Sequence, residues 1–236
     1  MPVNLVLFEP DEIGEPLPRS DSRAAHVRDV LRRVDGDYFD AGVVNGAIGV
    51  ATVTRLDGEG LRFTFRPTQE PPPLPPVTLI IGLPRPATAK DILRDATTMG
   101  VEALHFVTTE RTNDSYATSS LWRDGEWRRH LLLGAAQAFD TRLPIVTWHQ
   151  SLGQALEGGA AGERLALDNY EGVRHLSTGS APKGPILLAI GPERGWGPRD
   201  RDQLRSNGST LCHLGPRVLR VEMAVVAALA LVSARG

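Results

Sequence analysis

The chain has 236 residues, 41% hydrophobic and 23% charged, the balance of a soluble globular protein with a core and room for one large domain or two modest ones. Its formal net charge of −2 decides little, because a nucleic-acid binder can gather its basic residues on one face. A single cysteine, Cys212, excludes an intrachain disulfide and a cysteine-based zinc site, and its apolar neighbours mark it as a buried strand residue. The start MPVNLVLFEP lacks a basic stretch followed by a sustained apolar one, so no signal peptide is expected. No run reaches the roughly 18 apolar residues of a membrane span, and a cytoplasmic location without a membrane partner follows as the default.

Val3 to Phe8 reads as a strand. Asp21 or Ser22 caps a helix on which His26, Val27, Val30 and Leu31 share a face. Arg23, Arg28, Arg32 and Arg33 crowd the same segment with only Asp29 opposing them, which fits a solvated face and an RNA-contacting patch about equally. Strands follow at Tyr38–Val44, Ala47–Leu56 and Leu61–Arg66, separated by the hairpin dipeptides Asn45-Gly46 and Asp57-Gly58. A helix with short antiparallel strands suggests a small β-barrel-like domain. The segment 67–76, PTQEPPPLPP, should be a stiff spacer, since proline cannot pair within a central strand.

Beyond it the texture changes to alternating strands and helices. Val77–Leu83 is a continuous apolar run, the mark of a strand buried on both faces. A helix over Ala89–Met99 ends at Gly100, a strand spans Ala103–Thr108, and Asp124 is placed to cap a helix from Gly125 to Phe139. Strands at Ile145–Trp148, Arg164–Leu167 and Ile186–Ile190 follow, the first trailed by a Ser151-capped helix. Pro198 opens a helix that closes near Gly208, and Thr210–Leu214 and Val221–Ser233 are the last strand and helix. The order predicts an α/β fold with a mostly parallel sheet covered on both faces.

A dinucleotide or nucleoside-triphosphate fold would carry its glycine fingerprint after the first strand of this sheet. That position reads Gly82-Leu83-Pro84-Arg85-Pro86, with no G-x-G-x-x-G and no P-loop lysine. Glycine loops come late instead, at Gly191/Gly195/Gly197 and at Gly215. Two such loops at the ends of parallel strands make a ligand crevice.

The stretch Leu188-Ala189-Ile190-Gly191-Pro192-Glu193-Arg194-Gly195-Trp196, followed by Leu214-Gly215-Pro216-Arg217-Val218-Leu219-Arg220-Val221-Glu222, resembles the paired signature of the RsmE family. Those are ribosomal small-subunit RNA uracil-N3-methyltransferases of the SPOUT, or trefoil-knot, superfamily. His26 with Val30-Leu31-Arg32 resembles the family's PUA-like domain, and Gln137 with Arg142 its central glutamine-arginine region. The resemblance implies a PUA-like RNA-binding domain at 1–70, a linker at 71–76 and a SPOUT domain at 77–236 with a deep C-terminal knot. It implies S-adenosyl-L-methionine as cofactor, held among loops after Leu167, Ile190 and Leu214. The candidate contacts are Leu167, Ile190, Gly191, Pro192, Glu193, Gly195, Leu214, Gly215, Pro216, Val218 and Leu219. It also implies a homodimer and a substrate uridine in 16S rRNA, free or in the assembled small subunit. Candidate RNA contacts are Arg23, Arg28, Arg32, Arg33, Arg111 and Arg142.

Uracil N3 carries a weakly acidic imide proton, which must leave before the nitrogen can attack a methyl group in line. A base, or a cation that stabilises the anionic ring, helps. Arg217, Arg220 and Glu222 stand where the donor pocket should open. Glu222 fits a proton acceptor, an orienter of Arg220, or half of an ordinary ion pair with Arg217, and Glu193 equally fits a cap on the following helix. The apolar run Met223–Val232 suits a dimer face and an internal core helix alike. The six histidines show no ligand spacing, so no metal is expected.

Two positions depart from the family's pattern. Arg194 replaces the first of two glycines, and a left-handed backbone there would cost roughly 1–2 kcal/mol. Met223 stands where a threonine often follows the glutamate. An active methyltransferase is the first reading. A paralogue that binds RNA in ribosome assembly without transfer is the alternative these two residues leave open.

Overall fold

The computed structural model describes residues 4–158, 162–179, 181 and 184–235, so Val3 lies outside the described residues. The chain forms two compact units, Met1–Pro73 with Leu132–Leu143, and Leu74–Leu131 with Pro144–Gly236.

The first unit holds β1 (Val6–Phe8), β2 (Leu17–Pro18), β3 (Tyr38–Val43), β4 (Ile48–Leu56) and β5 (Gly60–Gln69) in the order β1-β3-β4-β5-β2, a half-barrel open between its two end strands. Asn45 takes the left-handed conformation (φ +57°) that the β3–β4 turn requires. Phe8 stacks on Phe63 with centroids 4.4 Å apart, and Phe39, Val27 and Leu61 close the core around them.

Asp21 caps α1 (Ser22–Ala25) by accepting from the Arg23 N–H at 2.8 Å. The helix then widens into a π-turn over His26–Val30, closed by Leu31 N–H to His26 O at 2.9 Å. The wider turn breaks the 3.6-residue spacing, so Val27 is buried while Val30 is 65% exposed, against the shared face read from the sequence. β5 also runs on through Pro67 into the segment expected to be spacer. Pro67 pairs with Gly49, and its missing N–H does no harm because β2 covers the other edge of β5 only at Gly60 and Leu61.

The segment Leu132–Leu143 packs into this unit. Leu5 donates to the Ala136 carbonyl at 3.0 Å, Asn45 to the Thr141 carbonyl at 2.8 Å, and the Thr141 hydroxyl to the Gly46 carbonyl at 2.6 Å. Leu132, Ala135, Ala136 and Leu143 add an apolar contact with Leu5, Leu7 and Ile48.

Among the described residues, the second unit is built on seven parallel strands: β6 (Val77–Gly82), β7 (Ala103–Thr108), β8 (Ile145–Ser151), β9 (Glu163–Leu167), β10 (Arg174–His175), β11 (Ile186–Ile190) and β12 (Thr210–His213). Their order is β10-β12-β9-β11-β6-β7-β8. The helices are α2 (Pro86–Met99), α3 (Ser120–Arg123), α4 (Glu126–Ala138, whose second half belongs to the first unit), α5 (Leu152–Glu157), α6 (Pro198–Ser206) and α7 (Val221–Ser233). Gly100 ends α2 in the left-handed conformation, and Ser151 and Gln154 form a capping box on α5. Asp124 ends α3 rather than starting α4, which begins after Gly125.

Ile80, Ala166, Leu187 and Ala189 pack with Leu152 and Leu156 of α5 and Leu204 of α6, while the alternate residues Leu79, Ile81, Leu165 and Leu188 are fully buried too. Both faces are covered, hence the unbroken apolar runs. α7 packs against α2 and buries Val221, Val225, Ala228, Leu229 and Val232. Cys212 is buried in β12.

Candidate functional site

Strand register sets the site. Leu167 pairs with Ile190 on one side and Cys212 on the other, so β9, β11 and β12 end level and their following loops leave the sheet side by side. The crevice at the carboxyl ends of adjacent parallel strands is where α/β sheets bind ligands. Here it is a cleft of about 620 Å³, within the roughly 300–1,000 Å³ typical of small-molecule sites.

The first loop contributes Leu167 and three residues the sequence did not suggest, Asp168, Asn169 and Tyr170. Asp168 accepts from the N–H groups of Tyr170 and Glu171 at 2.7 and 2.9 Å, which closes the turn. Its other oxygen takes the Arg201 Nε–H of α6 at 2.6 Å, and Tyr170 lies under the same guanidinium. Burial works against the charge on Arg201, but the Asp168 hydrogen bond and the field of Asp168 and Glu171 outweigh it and raise its pKa. No local pattern announces a pair 33 residues apart; only the fold brings it together.

The second loop contributes Ile190, Gly191, Pro192, Glu193, Arg194 and Gly195. The left-handed residue is Gly195 (φ +66°), not Arg194, so the strain expected at Arg194 is absent. A Cβ on Gly191 would stand 3.2 Å from Gly195, and one on Gly82 would strike Pro192 at 2.3 Å, which explains why both stay bare. Glu193 does not cap the following helix. It accepts from the Arg85 N–H at 3.0 Å, ahead of α2, while Asp200 caps α6 through the Gly197 N–H at 2.8 Å. Asp200 also receives the Glu110 N–H, and burial pushes its carboxyl above the usual range. Trp196, fully buried, donates to the Leu167 carbonyl at 2.9 Å and so ties the second loop to the first.

The third loop and the start of α7 contribute Leu214, Val218, Leu219, Arg220, Val221 and Glu222. Gly215, Pro216 and Arg217 belong to the same loop without lining the cleft. Among the described residues, the side chains of Arg217, Arg220 and Glu222 make no ion pair, so the Arg217–Glu222 pairing weighed from the sequence is not formed. Arg217 and Arg220 are exposed and Glu222 half-buried. No group of three or more histidine, cysteine, aspartate or glutamate side chains among the described residues is arranged to hold a metal ion.

A family described as "RNA methyltransferase domain" matches residues 70–233. The ribosomal RNA small subunit methyltransferase E of Treponema pallidum is 34% identical over 98% of this chain and 91% of its own. The chain belongs to the ribosomal RNA small subunit methyltransferase E family. A relative of that name from Borreliella burgdorferi is 24% identical over 96% of this chain and 95% of its own. The fold matches a ribosomal RNA small subunit methyltransferase E from Neisseria gonorrhoeae bound to S-adenosyl methionine, with a TM-score of 0.77 at 24% identity over 96% of this chain and 95% of that one. It also matches a probable rRNA-methyltransferase from Porphyromonas gingivalis, with a TM-score of 0.80 at 18% identity over 98% of each.

The arginines of this methyltransferase divide by what they already hold. Arg23 reaches Glu12 and Asp21 through several hydrogen bonds and lies over the Phe8 ring, so its guanidinium already serves the packing of the first unit. Arg142 donates to the carbonyls of Pro71 and Pro72 and fixes the proline segment. Arg111 donates to the Arg194 carbonyl at 2.6 Å and braces the second loop. Arg28, Arg32 and Arg33 remain together. With Arg19 they line an open groove of about 720 Å³ on the first unit, where Arg28 alone of the four has an ion-pair partner among the described residues, Asp29. Arg32 sits at φ +53°, just past the π-turn.

Proposed function

We propose that this methyltransferase transfers the methyl group of S-adenosyl-L-methionine to N3 of a uridine in 16S rRNA of the small ribosomal subunit. The observation that carries the reading is the convergence of three loops, from three adjacent strand ends, on one cleft that also receives Arg220 and Glu222. The residues fit the donor. Leu167, Ile190, Leu214 and Leu219 offer apolar walls for an adenosyl group, and the glycine backbone at Gly191 and Gly195 lets main-chain amides and carbonyls approach its edge. The knotted threading of the C-terminal segment and the PUA-like role of the first unit belong to the same reading.

When bound, the donor supplies a sulfonium-activated methyl group, whose bond to sulfur breaks with the electron pair kept by sulfur as the new bond to N3 forms. The chain's own part is to raise the small fraction of uracil that is deprotonated at N3. An arginine beside O2 or O4 stabilises the ring anion, and Arg220, on the cleft wall with no carboxylate partner among the described residues, is free to do so. Glu222, two residues on and half-buried, accepts the imide proton or orients Arg220. Arg217, which the sequence groups with Arg220 and Glu222 as catalytic, is exposed and off the cleft wall, and an exposed cation on this loop suits a phosphate flanking the target base.

The groove of Arg19, Arg28, Arg32 and Arg33 supports phosphate contacts that hold the rRNA without reading its sequence. The reading includes a homodimer. Val173 and Met223 are large apolar side chains left exposed on the second unit outside the cleft lining, and a second copy that covered them would remove them from water.

The test is twofold. Isothermal titration should show one donor site per chain, and radiolabelled donor should label small subunits taken from cells that lack the modification. Donor binding without labelling of small subunits would leave the cleft and remove the substrate.

A further inference from the structure

The third loop is held at its root by an imidazole. His213 ends β12, and its Nδ1 accepts the Gly215 N–H at 3.1 Å. Gly215 has φ +106°, so the chain turns sharply between Leu214, on the cleft wall, and the run from Val218 to Glu222 that forms the rest of that wall. The bond spans two residues, the geometry by which an aspartate or asparagine oxygen closes a turn at its own i+2 amide.

The neighbouring strand repeats the device. His175, in register with His213, ends β10, and its Nδ1 accepts the Ser177 N–H at 3.2 Å. The two rings meet edge to face with centroids 5.5 Å apart. Each ring is thus fixed by one turn and by the other ring. A neutral ring that accepts at Nδ1 carries its proton on Nε2, so the bond to Gly215 requires that one tautomer.

We propose that His213 is a positioning residue for methyl-donor binding: its Nδ1 sets the turn at Gly215 and thereby the placement of Leu214 and of the loop leading to Arg220. It acts through the backbone and touches neither donor nor base. The inference rests on the reading of this cleft as the donor site.

Three variants separate the acceptor from the ring. His213→Phe keeps an aromatic ring against His175 and has no acceptor. His213→Leu removes both. His213→Asn removes the ring but restores an acceptor to the same amide. The measurements are isothermal titration with S-adenosylmethionine, KM for the donor and kcat on small subunits, the melting temperature, and exchange of the Gly215 amide by NMR.

The phenylalanine and leucine variants should each weaken donor binding about tenfold and raise the donor KM to match, with kcat at saturating donor within threefold. His213→Asn should bind within about twofold of the parent. The Gly215 amide should exchange slowly in the parent and the asparagine variant and fast in the other two. Donor affinity unchanged in the phenylalanine and leucine variants would overturn the proposal, as would an asparagine variant that melts normally yet binds as poorly as leucine. If the parent itself fails to bind donor, the reading of the cleft falls. The brace is then judged by the Gly215 amide alone, and equal exchange in all four proteins would sink it.

Discussion

The Arg111 guanidinium donates to the Arg194 carbonyl at 2.6 Å, so the end of β7 holds the loop that follows β11. The same β7 end reaches α6 as well, because the Glu110 carboxylate accepts from the Arg199 N–H at 2.8 Å and the Glu110 amide donates to Asp200. The second loop therefore depends on residues more than eighty positions earlier in the chain.

Arg111→Ala should weaken donor binding by about tenfold, the worth of one charge-assisted hydrogen bond at a partly exposed site. Titration with donor measures it. Arg194→Gly bears on the same loop. Arg194 is not left-handed, so a glycine relieves nothing and should lower stability by about 0.4–1 kcal/mol through the freer unfolded chain. A gain in melting temperature would show that Arg194 is strained after all.

Arg220→Ala should lower turnover by about 10²–10³-fold, as loss of one stabilising group for developing charge does. Donor affinity should change by less than about threefold, as expected of an arginine that acts on the base and not on the donor. Single-turnover rates at saturating donor, with titration beside them, distinguish the two effects.

The fold was largely legible because its signals are local. Continuous apolar runs gave the parallel strands, and the helix Val221–Ser233 has the bounds its composition suggested. What stayed hidden depends on distant partners or on one unusual turn. The π-turn at His26–Val30 carries no composition mark, and it moved Val30 from the core to the surface. β10 is two residues long and exists only because β12 lies beside it. At the site, the glycine loops showed in the sequence, but Asp168, Arg201 and the Trp196–Leu167 tie did not. The partners of Arg23, Arg111 and Arg142 stayed hidden as well: charge is visible in a sequence, whereas the carboxylates and carbonyls it satisfies are visible only in the fold.

The Arg23 cluster predicts acid sensitivity in the first unit. Hydrogen bonds from Arg23 hold the carboxyls of Glu12 and Asp21 below their usual range, against the opposing cost of burial. A carboxyl depressed on folding adds stability that is present above its unfolded pKa, about 4, and is lost as pH falls through the folded value. Stability should therefore decline below about pH 5. Arg23→Met should be less stable at pH 7, by about 1–3 kcal/mol, and should show a flatter acid limb. Urea titrations from pH 7 to pH 3 measure both.

The groove of the first unit predicts a salt effect. Arg32→Glu with Arg33→Glu should weaken rRNA binding and shrink the slope of log affinity against log salt by about one for each phosphate that is no longer neutralised. Donor affinity should not change. An unaltered slope would place the RNA elsewhere.

The most direct test of the central claim is to identify the product. Small subunits lacking the modification are incubated with the enzyme and donor, the 16S rRNA is digested to nucleosides, and the methylated nucleoside is separated by mass spectrometry. One new 3-methyluridine per subunit is expected with the parent enzyme, formed about 10²–10³-fold more slowly with Arg220→Ala. A different methylated nucleoside, or none, would contradict it.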